Sequence, residues 1–449
     1  MNRQDLTTGP VFSTMSLFAL PMILGNILQQ GYNIADTWVV GHMIGPDALA
    51  AVGSAFALMT FLTSVLIGLC MGSGTVFSLC FGRQDRQQLK SSICASFFLL
   101  AAIAALLTAV SVLCVDAMIV WMNIPKEIAA MTRGYLIVVF WGIPAITAYN
   151  FFGAYLKAIG NSVVPLVFLG ISTVFNILLD VLFVAVFQWG TLGAASATII
   201  SQYLSGIGIG IYVLVKEGEV RSALLHVHVK TSDFKEIANY SVLTCMQQSV
   251  MNLGILMVQG LVNSFGTAVM AAFAAAVKIE AFTYMPAQEY ANAFSTFIAQ
   301  NMGAGQKRRV VKGVRYAVAT IVIYCLLASL LIWILAKPFL LIFIKSSQKA
   351  ILAEGIRYLR IVGPFYFGIG CLFLFYGLYR AIGKPAMSVV LTVISLGTRV
   401  LLAYMLSAVK TFGAAGIWWS IPIGWILADL TGYVYYLCRV HFDESRKII

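Results

Sequence analysis

Two acidic residues interrupt long hydrophobic stretches of this sequence, Asp36 in NILQQGYNIADTWVV (26–40) and Asp180 in FNILLDVLFV (175–184). A carboxylate in a low-dielectric environment favours its neutral form, and two carboxylates in one site titrate as a pair. Such a pair can carry a proton, hold Na⁺ when it is ionised, or attract an organic cation. We therefore predict an ion or proton site at Asp36 and Asp180. The alternative is two buried acids that only hold helices together.

Polar residues at helical spacing accompany both acids. Gln29, Asn33 and Asp36 share one helical face, and Asn176 precedes Asp180 by four residues. The predicted coupling site comprises Asp36, Asp180, Asn176, Thr198 and Tyr135, and oxygens of Asp36, Asn176, Asp180 and Thr198 could instead hold Na⁺. The candidates for a substrate cavity are Gln29, Asn33, Asn150, Gln202, Lys278, Glu280 and Arg399.

The charges of the C-terminal half have two possible roles. Lys278 and Glu280 are two residues apart and cannot face each other on one helix, so at least one must pair elsewhere or line a wet cavity. Arg399 lies in another hydrophobic segment. Structural pairing and substrate contact both remain open for these three residues.

Pro21 lies near the start of the segment that carries Asp36. Proline removes a helical hydrogen bond and kinks a helix. Pro21 is therefore a candidate hinge, and a static bend is the alternative.

The composition places these residues in a membrane protein. Of 449 residues, 60% are hydrophobic and only 10% are charged, whereas soluble proteins carry about 25% charged residues. We predict an all-α protein with twelve spans, at about 15–41, 48–78, 91–120, 133–156, 163–187, 192–215, 237–263, 267–303, 314–344, 357–380, 386–408 and 414–438. The eight cysteines are too far apart in sequence for C-x-x-C pairs, so neither a metal site nor a disulfide framework is expected.

The loop charges predict the orientation. Nineteen Lys and Arg residues fall on the side that holds both termini, and eight fall on the other side. We expect both termini in the cytoplasm of a bacterium and the chain in its inner membrane. The net charge of +12 is then a consequence of topology, so it is no sign of nucleic-acid binding.

The sequence repeats itself at an offset of 221 to 223 residues. Ala-Ile-Gly occurs at 158–160 and again at 381–383, and Gly45 corresponds to Gly266. We predict an N-terminal six-helix lobe (1–215), a cytoplasmic linker (216–235) and a C-terminal six-helix lobe (236–449). Parallel repeats of this kind are typical of secondary transporters. Asp36 and Asp180 correspond to Met257 and Ala403, which confines the predicted site to the first lobe.

Four stretches together resemble the multidrug and toxic compound extrusion (MATE) family over essentially the whole chain. They are ALPMILGNILQQGYNIADTWVVGHMIGPDALAAVG (19–53), AIGNS with FNILLDVLFV (158–162 and 175–184), GTLGAASAT (190–198) and AQNMGAGQKRR (299–309).

This resemblance implies a V-shaped, twelve-helix protein that exports organic cations in exchange for H⁺ or Na⁺. In the DinF-like branch, the acids that correspond to Asp36 and Asp180 carry the ion, and protonation is proposed to bend the first helix at the proline that corresponds to Pro21. The NorM-like branch has acids in spans 7 and 10. Here span 7 has Gln247 and Gln248 and span 10 has no acid, which argues against a cation site in the second lobe.

The resemblance further implies a monomeric transporter that contacts organic cations and membrane lipid, with no cofactor beyond the coupling ion and no enzymatic activity. A lipid-linked flippase is the alternative within transport, because Lys278 and Arg399 could line a basic cavity. An intramembrane aspartyl protease is the alternative among enzymes. Those proteases resemble one another in a G-x-G-D motif, whereas the sequence before Asp180 is Leu-Leu.

Overall fold

The computed structural model describes residues 3–122, 124–226, 229–409 and 411–440. Within these residues the regular structure is helical throughout. The α-helices are α1 (Val11–Val39), α2 (Pro46–Arg83), α3 (Arg86–Leu113), α4 (Val115–Trp121), α5 (Lys126–Phe140), α6 (Ile143–Ala158), α7 (Val163–Asp180), α8 (Gly190–Lys216), α9 (Gly218–His226), α10 (Thr231–Asn263), α11 (Thr267–Gly303), α12 (Lys307–Leu341), α13 (Lys349–Val362), α14 (Tyr366–Ala381), α15 (Pro385–Ala408) and α16 (Ala414–Arg439).

Twelve helical spans in the described part of the chain are long and apolar enough to cross a membrane. They confirm the predicted all-α membrane fold. Helices satisfy their backbone hydrogen bonds internally, which is required where no water is available. Most predicted boundaries agree with the observed ones within a few residues.

The third predicted segment, 91–120, extends too far. The helix α3 ends at Leu113, because Cys114 leaves helical geometry with φ −98° and ψ 10°, and α4 follows as a separate short helix.

Asp116 of α4 is exposed and accepts a hydrogen bond of 2.6 Å from Arg133 Nε. This hydrogen bond holds the pKa of Asp116 below its ordinary value.

Two of the spans are broken in the middle at corresponding positions. The span Lys126–Ala158 consists of α5 and α6, and the span Lys349–Ala381 consists of α13, a short 3₁₀ helix and α14. A glycine lies at each break, Gly142 and Gly363, and a proline follows within two residues. Glycine is a poor helix former and proline has no N–H to donate, so a glycine and a proline within two residues favour a break at each of these positions.

The repeated Ala-Ile-Gly triplets end corresponding helices. Gly160 after α6 and Gly383 after α14 adopt φ of +86° and +83°, a conformation that favours glycine. The amide of Asn161 donates to Leu156 O at 2.8 Å, and the amide of Lys384 donates to Tyr379 O at 2.8 Å. The triplets thus terminate the two helices by the same capping hydrogen bonds.

The described chain separates into two compact units. Unit 1 comprises the residues up to Asp5 and Leu20–Cys245, and unit 2 comprises Leu6–Ala19 and Met246–Ile449. The borders fall between Asp5 and Leu6, inside α1 between Ala19 and Leu20, and inside α10 between Cys245 and Met246. The predicted linker, 216–235, contains α9 and the start of α10 in unit 1, and its residues 227 and 228 lie outside the described residues. Lys410, Arg446 and Lys447, which entered the charge count, also lie outside them.

Close helix contacts at glycines organise unit 1. A Cβ on Gly68 would lie 2.6 Å from Cys245 Cα, and one on Gly72 would lie 2.5 Å from Ser241 Cα. At this contact Ser96 donates to Ser73 at 2.6 Å, and the Ser73 and Ser241 hydroxyls are 2.9 Å apart. Small residues let α2 and the first part of α10 approach closely.

Unit 2 is built on α11 and α16. The helix α11 packs against α12, α13 and α14, and α16 packs against α14 and α15. Two residues of the AQNMGAGQKRR stretch contact each other, since Arg309 Nε donates to Asn301 Oδ1 at 3.0 Å. Arg309 Nη2 also donates to Leu6 O at 3.1 Å and to Thr8 O at 3.0 Å. Arg309 thereby fixes the N-terminal residues of unit 2.

Candidate ion-coupling site

Asp180 is buried at the end of α7 without a hydrogen-bond partner. Its residue exposure is 1%, and both carboxylate oxygens are buried and unpartnered within the described part of the chain. Asn176, one turn earlier, is equally buried, and its amide oxygen and nitrogen also have no partner there. Native proteins satisfy nearly all buried polar groups, so four unpartnered atoms on adjacent turns need an explanation.

Asp36 lies close enough to Asp180 for the two charges to interact electrostatically. Oδ1 of Asp36 is also buried and has no partner among the described residues. Tyr135 of α5 is buried and lies within electrostatic reach of both acids. Thr198 of α8 accepts a hydrogen bond of 3.3 Å from the Tyr32 hydroxyl. The structure therefore gathers the five predicted coupling residues in unit 1, from α1, α5, α7 and α8.

Both acid-bearing helices become π-helical just beyond the acids. A π-helical segment spans Val40–Ile44 after α1, and another spans Val181–Val186 directly after Asp180. The two segments pack against each other and against α8. Such wide turns are rare and occur often at functional sites. The corresponding helices of the repeat, α10 and the described part of α15, contain no such segment.

The GTLGAAS stretch at the start of α8 supports the second π-helical segment. A Cβ on Gly193 would lie 3.1 Å from Phe183 O, so any larger residue would be tightly packed against this carbonyl. The neighbouring rings of Phe183 and Trp189 stack with centroids 4.9 Å apart. Gly193 therefore lets α8 close over the helix that carries Asp180.

The other predicted polar residues of unit 1 are less closely engaged. Gln29 and Asn33 are partly buried on α1, and Asn150 Nδ2 donates to Ile146 O of its own helix at 2.9 Å. Gln202 Oε1 is buried and unpartnered in the described structure, and it lies 2.5 Å from where a Cβ on Gly142 would be. Gln202 thus faces the break between α5 and α6.

Sequence reasoning missed Tyr32. Tyr32 lies within electrostatic reach of Asp36 and Asp180, and its hydroxyl is hydrogen-bonded to Thr198. It precedes Asp36 by four residues, so the same helical spacing that selected Gln29 and Asn33 could have found it.

Pro21 lies within α1, which is continuous from Val11 to Val39. The border between the two compact units falls between Ala19 and Leu20, one residue before the proline. The predicted hinge is therefore next to the point where α1 passes from one unit to the other.

The three charged candidates of unit 2 fall into two environments. Lys278 is exposed, and its Nζ lies 5.7 Å from the Phe343 ring centroid. Glu280 is buried and accepts a hydrogen bond of 2.6 Å from the Tyr358 hydroxyl, and the charge of Arg399 acts on it. Tyr358 is a second residue that sequence spacing did not reveal, because it comes from a different helix.

The oxygen atoms of the site in unit 1 are of the types that hold protons or monovalent cations. Its donor set consists of carboxylate, amide and hydroxyl oxygens, which suit hard cations such as Na⁺. Within the described residues no group of three or more His, Cys, Asp or Glu side chains could hold a metal ion. An ionised buried carboxylate without a partner is unfavourable. A proton or cation that neutralised Asp180 would therefore lower the free energy of this site.

Comparison with known proteins identifies the family. The MatE family model matches residues 21–182 and 242–405, two copies that begin 221 residues apart and end 223 residues apart, as the sequence repeat does. A Bacillus subtilis (strain 168) protein named "Probable multidrug resistance protein YpnP" is 28% identical over 438 residues, 97% of each chain. The "FAD transporter" of Shewanella oneidensis is 22% identical over 447 residues, 98% of this chain and 96% of that one.

Solved structures show the same fold. A structure described as the "outward-facing conformation of a multidrug resistance MATE family transporter of the MOP superfamily" superposes with a TM-score of 0.91 at 22% identity, over 98% of both chains. A transporter of this superfamily from Pyrococcus furiosus superposes with a TM-score of 0.90 at 21% identity. The two family matches cover well over half of the sequence. This chain therefore belongs to the MatE family of multidrug and toxic compound extrusion transporters, which are multi-pass membrane proteins.

Proposed function

We propose that this protein is a secondary antiporter that exports amphipathic, mostly cationic compounds in exchange for H⁺ or Na⁺. The observation that carries the proposal is the unpartnered pair of Asp180 and Asn176 beside Asp36. Relatives named as multidrug resistance and multidrug export proteins support the substrate class. The loop charges support a bacterial inner-membrane location with both termini in the cytoplasm.

The proposed cycle uses one site alternately for two cations. A coupling ion that enters from outside neutralises one negative charge of the Asp36 and Asp180 pair, with Asn176, Thr198 and Tyr135 as hydrogen-bonding neighbours. Release of the ion to the cytoplasm restores the negative charge, which attracts the next organic cation. Each charge that moves through 100 mV contributes about 2.3 kcal/mol, and an exchange of one H⁺ for one monovalent cation would use only the pH gradient.

The experiment is ethidium efflux from loaded, de-energised cells after a proton or a sodium gradient is imposed. Wild type is compared with Asp180→Asn and Asp36→Asn at matched expression. We expect efflux with one of the two gradients and its loss in both variants. Asp429→Asn is the matched control, because Asp429 is an acid in α16 with a buried, unpartnered Oδ1 among the described residues. Equal efflux in wild type and Asp180→Asn would contradict the proposal.

A further inference from the structure

A buried charged group in unit 2 has no part in the proposed exchange. Glu280 of α11 is 7% exposed, and Tyr358 of α13, which is 1% exposed, donates to its Oε2 at 2.6 Å. Arg399 of α15 lies within electrostatic reach of Glu280, Tyr284 and Tyr358. Ionisable residues at membrane depth are costly and mark functional sites by default.

Arg399 has hydrogen-bonding capacity that the described residues do not use. Its Nε is buried and has no partner among them, and the buried hydroxyl of Tyr366, which lies within electrostatic reach of Glu280, is likewise unpartnered. The residue itself is only partly buried, so part of the side chain remains open. A guanidinium carries five donors in a planar fork, and a buried donor without an acceptor is unfavourable.

Close helix packing fixes where the Arg399 side chain begins. A Cβ on Gly424 of α16 would lie 2.4 Å from Ser395 O and 3.3 Å from Arg399 Cβ. The two helices can approach this closely only because position 424 is glycine. The base of the arginine is therefore held against α16, and its planar guanidinium fork loses less entropy per hydrogen bond than a lysine ammonium would.

We propose that Arg399 and Tyr366 form a binding subsite for the carboxylate or phosphate group of an organic anion or zwitterion. Glu280, held by Tyr358, is the resident counter-charge that keeps the site neutral when no anion is bound. The fork of a guanidinium matches carboxylate and phosphate groups in a bidentate geometry. Lys278 takes no part, because its ammonium lies against Phe343. The proposal extends the substrate class beyond cations and does not depend on ion exchange in unit 1.

The competing explanation is a static pair in which Glu280 and Arg399 only neutralise each other. The two explanations differ in the expected result of removing the charge of Glu280. For a static pair, removing either charge leaves the other buried and unpaired, and both changes are destabilising. For an anion subsite, removal of Glu280 leaves Arg399 free of its counter-charge and strengthens anion binding.

The test is equilibrium binding of rhodamine B, which has a free carboxylate, and of its cationic ethyl ester to the purified full-length protein without a gradient. We expect Arg399→Gln to weaken rhodamine B binding about tenfold or more, the size of a lost charged hydrogen bond, and to leave the ester nearly unchanged. Glu280→Gln should strengthen rhodamine B binding severalfold. Lys278→Gln is the matched control and should change neither dye.

Two results would overturn the subsite. One is an equal loss of both dyes in Arg399→Gln, and the other is rhodamine B binding that is weakened or unchanged in Glu280→Gln. Should Arg399→Gln fail to fold, the Glu280→Gln result decides alone. Competition by benzoate and by phenyl phosphate then distinguishes the carboxylate from the phosphate, and failure of both to compete also contradicts the proposal.

Discussion

Asp180 combines features that rarely occur together in a static helix contact. It is a carboxylate at membrane depth, it has no hydrogen-bond partner in the described chain, and an equally unpartnered amide lies one turn away. Placing such a charge at the centre of a bilayer costs about 2.5–3.5 kcal/mol on insertion scales. A proton or cation that binds there removes this cost, which is why an ion site explains the group better than an architectural one.

The sequence was sufficient to find both acids and the amide of Asn176, one turn before Asp180. Asp36, Asn176 and Asp180 stand out because hydrophobic residues surround them and because helical spacing puts Asn176 and Asp180 on one face. Partners from other helices were less accessible to this reasoning. Nothing in the spacing along α13 indicates that Tyr358 donates to Glu280, since that contact arises only when the helices pack.

Tyr32→Phe removes the hydroxyl that donates to Thr198 while the ring remains. A typical hydrogen bond contributes about 0.5–1.5 kcal/mol, so we expect a two- to tenfold slower initial rate of ethidium efflux with little change in expression. Tyr203→Phe is the control, because its hydroxyl donates to Trp141 O. A Tyr32→Phe rate equal to wild type would remove this tyrosine from the site.

At the scale of elements, hydropathy predicted the spans because each must bury about 20 apolar residues in the bilayer. It could not predict the π-helical segments Val40–Ile44 and Val181–Val186. Their sequences are ordinary apolar runs, and the wider turns arise where the two segments pack against each other and against α8. The breaks after α5 and α13, by contrast, could have been predicted from the sequence, because a glycine and a proline mark each of them. These are Gly142 with Pro144 and Gly363 with Pro364.

Pro21→Ala restores a backbone donor inside α1. If Pro21 is a hinge, the variant should lose most ethidium efflux while its thermal stability is unchanged or raised, because a regular helix bends less easily. Wild-type efflux in Pro21→Ala would make the proline a static feature. A thermal melt of the purified protein separates a transport defect from a folding defect.

Gly72→Ala should destabilise unit 1. The added Cβ would lie 2.5 Å from Ser241 Cα and from Tyr240 O, which are backbone atoms that cannot rotate away. Overpacking of this kind costs about 1–3 kcal/mol, so we expect a melting temperature several degrees lower. Gly53→Ala is the control in the same helix, since a Cβ there meets nothing within 4 Å. Equal melting temperatures for the two variants would contradict the close contact of α2 with α10.

At the scale of the whole molecule, one duplicated framework carries two different sets of buried charge. The caps at Gly160 and Gly383 and the breaks at Gly142 and Gly363 recur at the repeat offset. The acids of unit 1 have no counterparts at the corresponding positions, whereas unit 2 has Glu280 and Arg399. The repeat thus fixes where the helices lie, and the individual substitutions determine which buried charges each unit carries.

The measurement that tests the central claim most directly is ion movement driven by a drug gradient in liposomes that contain the purified protein. An ethidium gradient should drive H⁺ or Na⁺ in the opposite direction. An indicator dye inside the liposomes reports the change in the concentration of that ion. We predict this counter-movement with wild type and with Asp429→Asn, and its absence with Asp180→Asn. Ethidium transport without any ion movement, or equal ion movement with Asp180→Asn, would contradict exchange at Asp36 and Asp180.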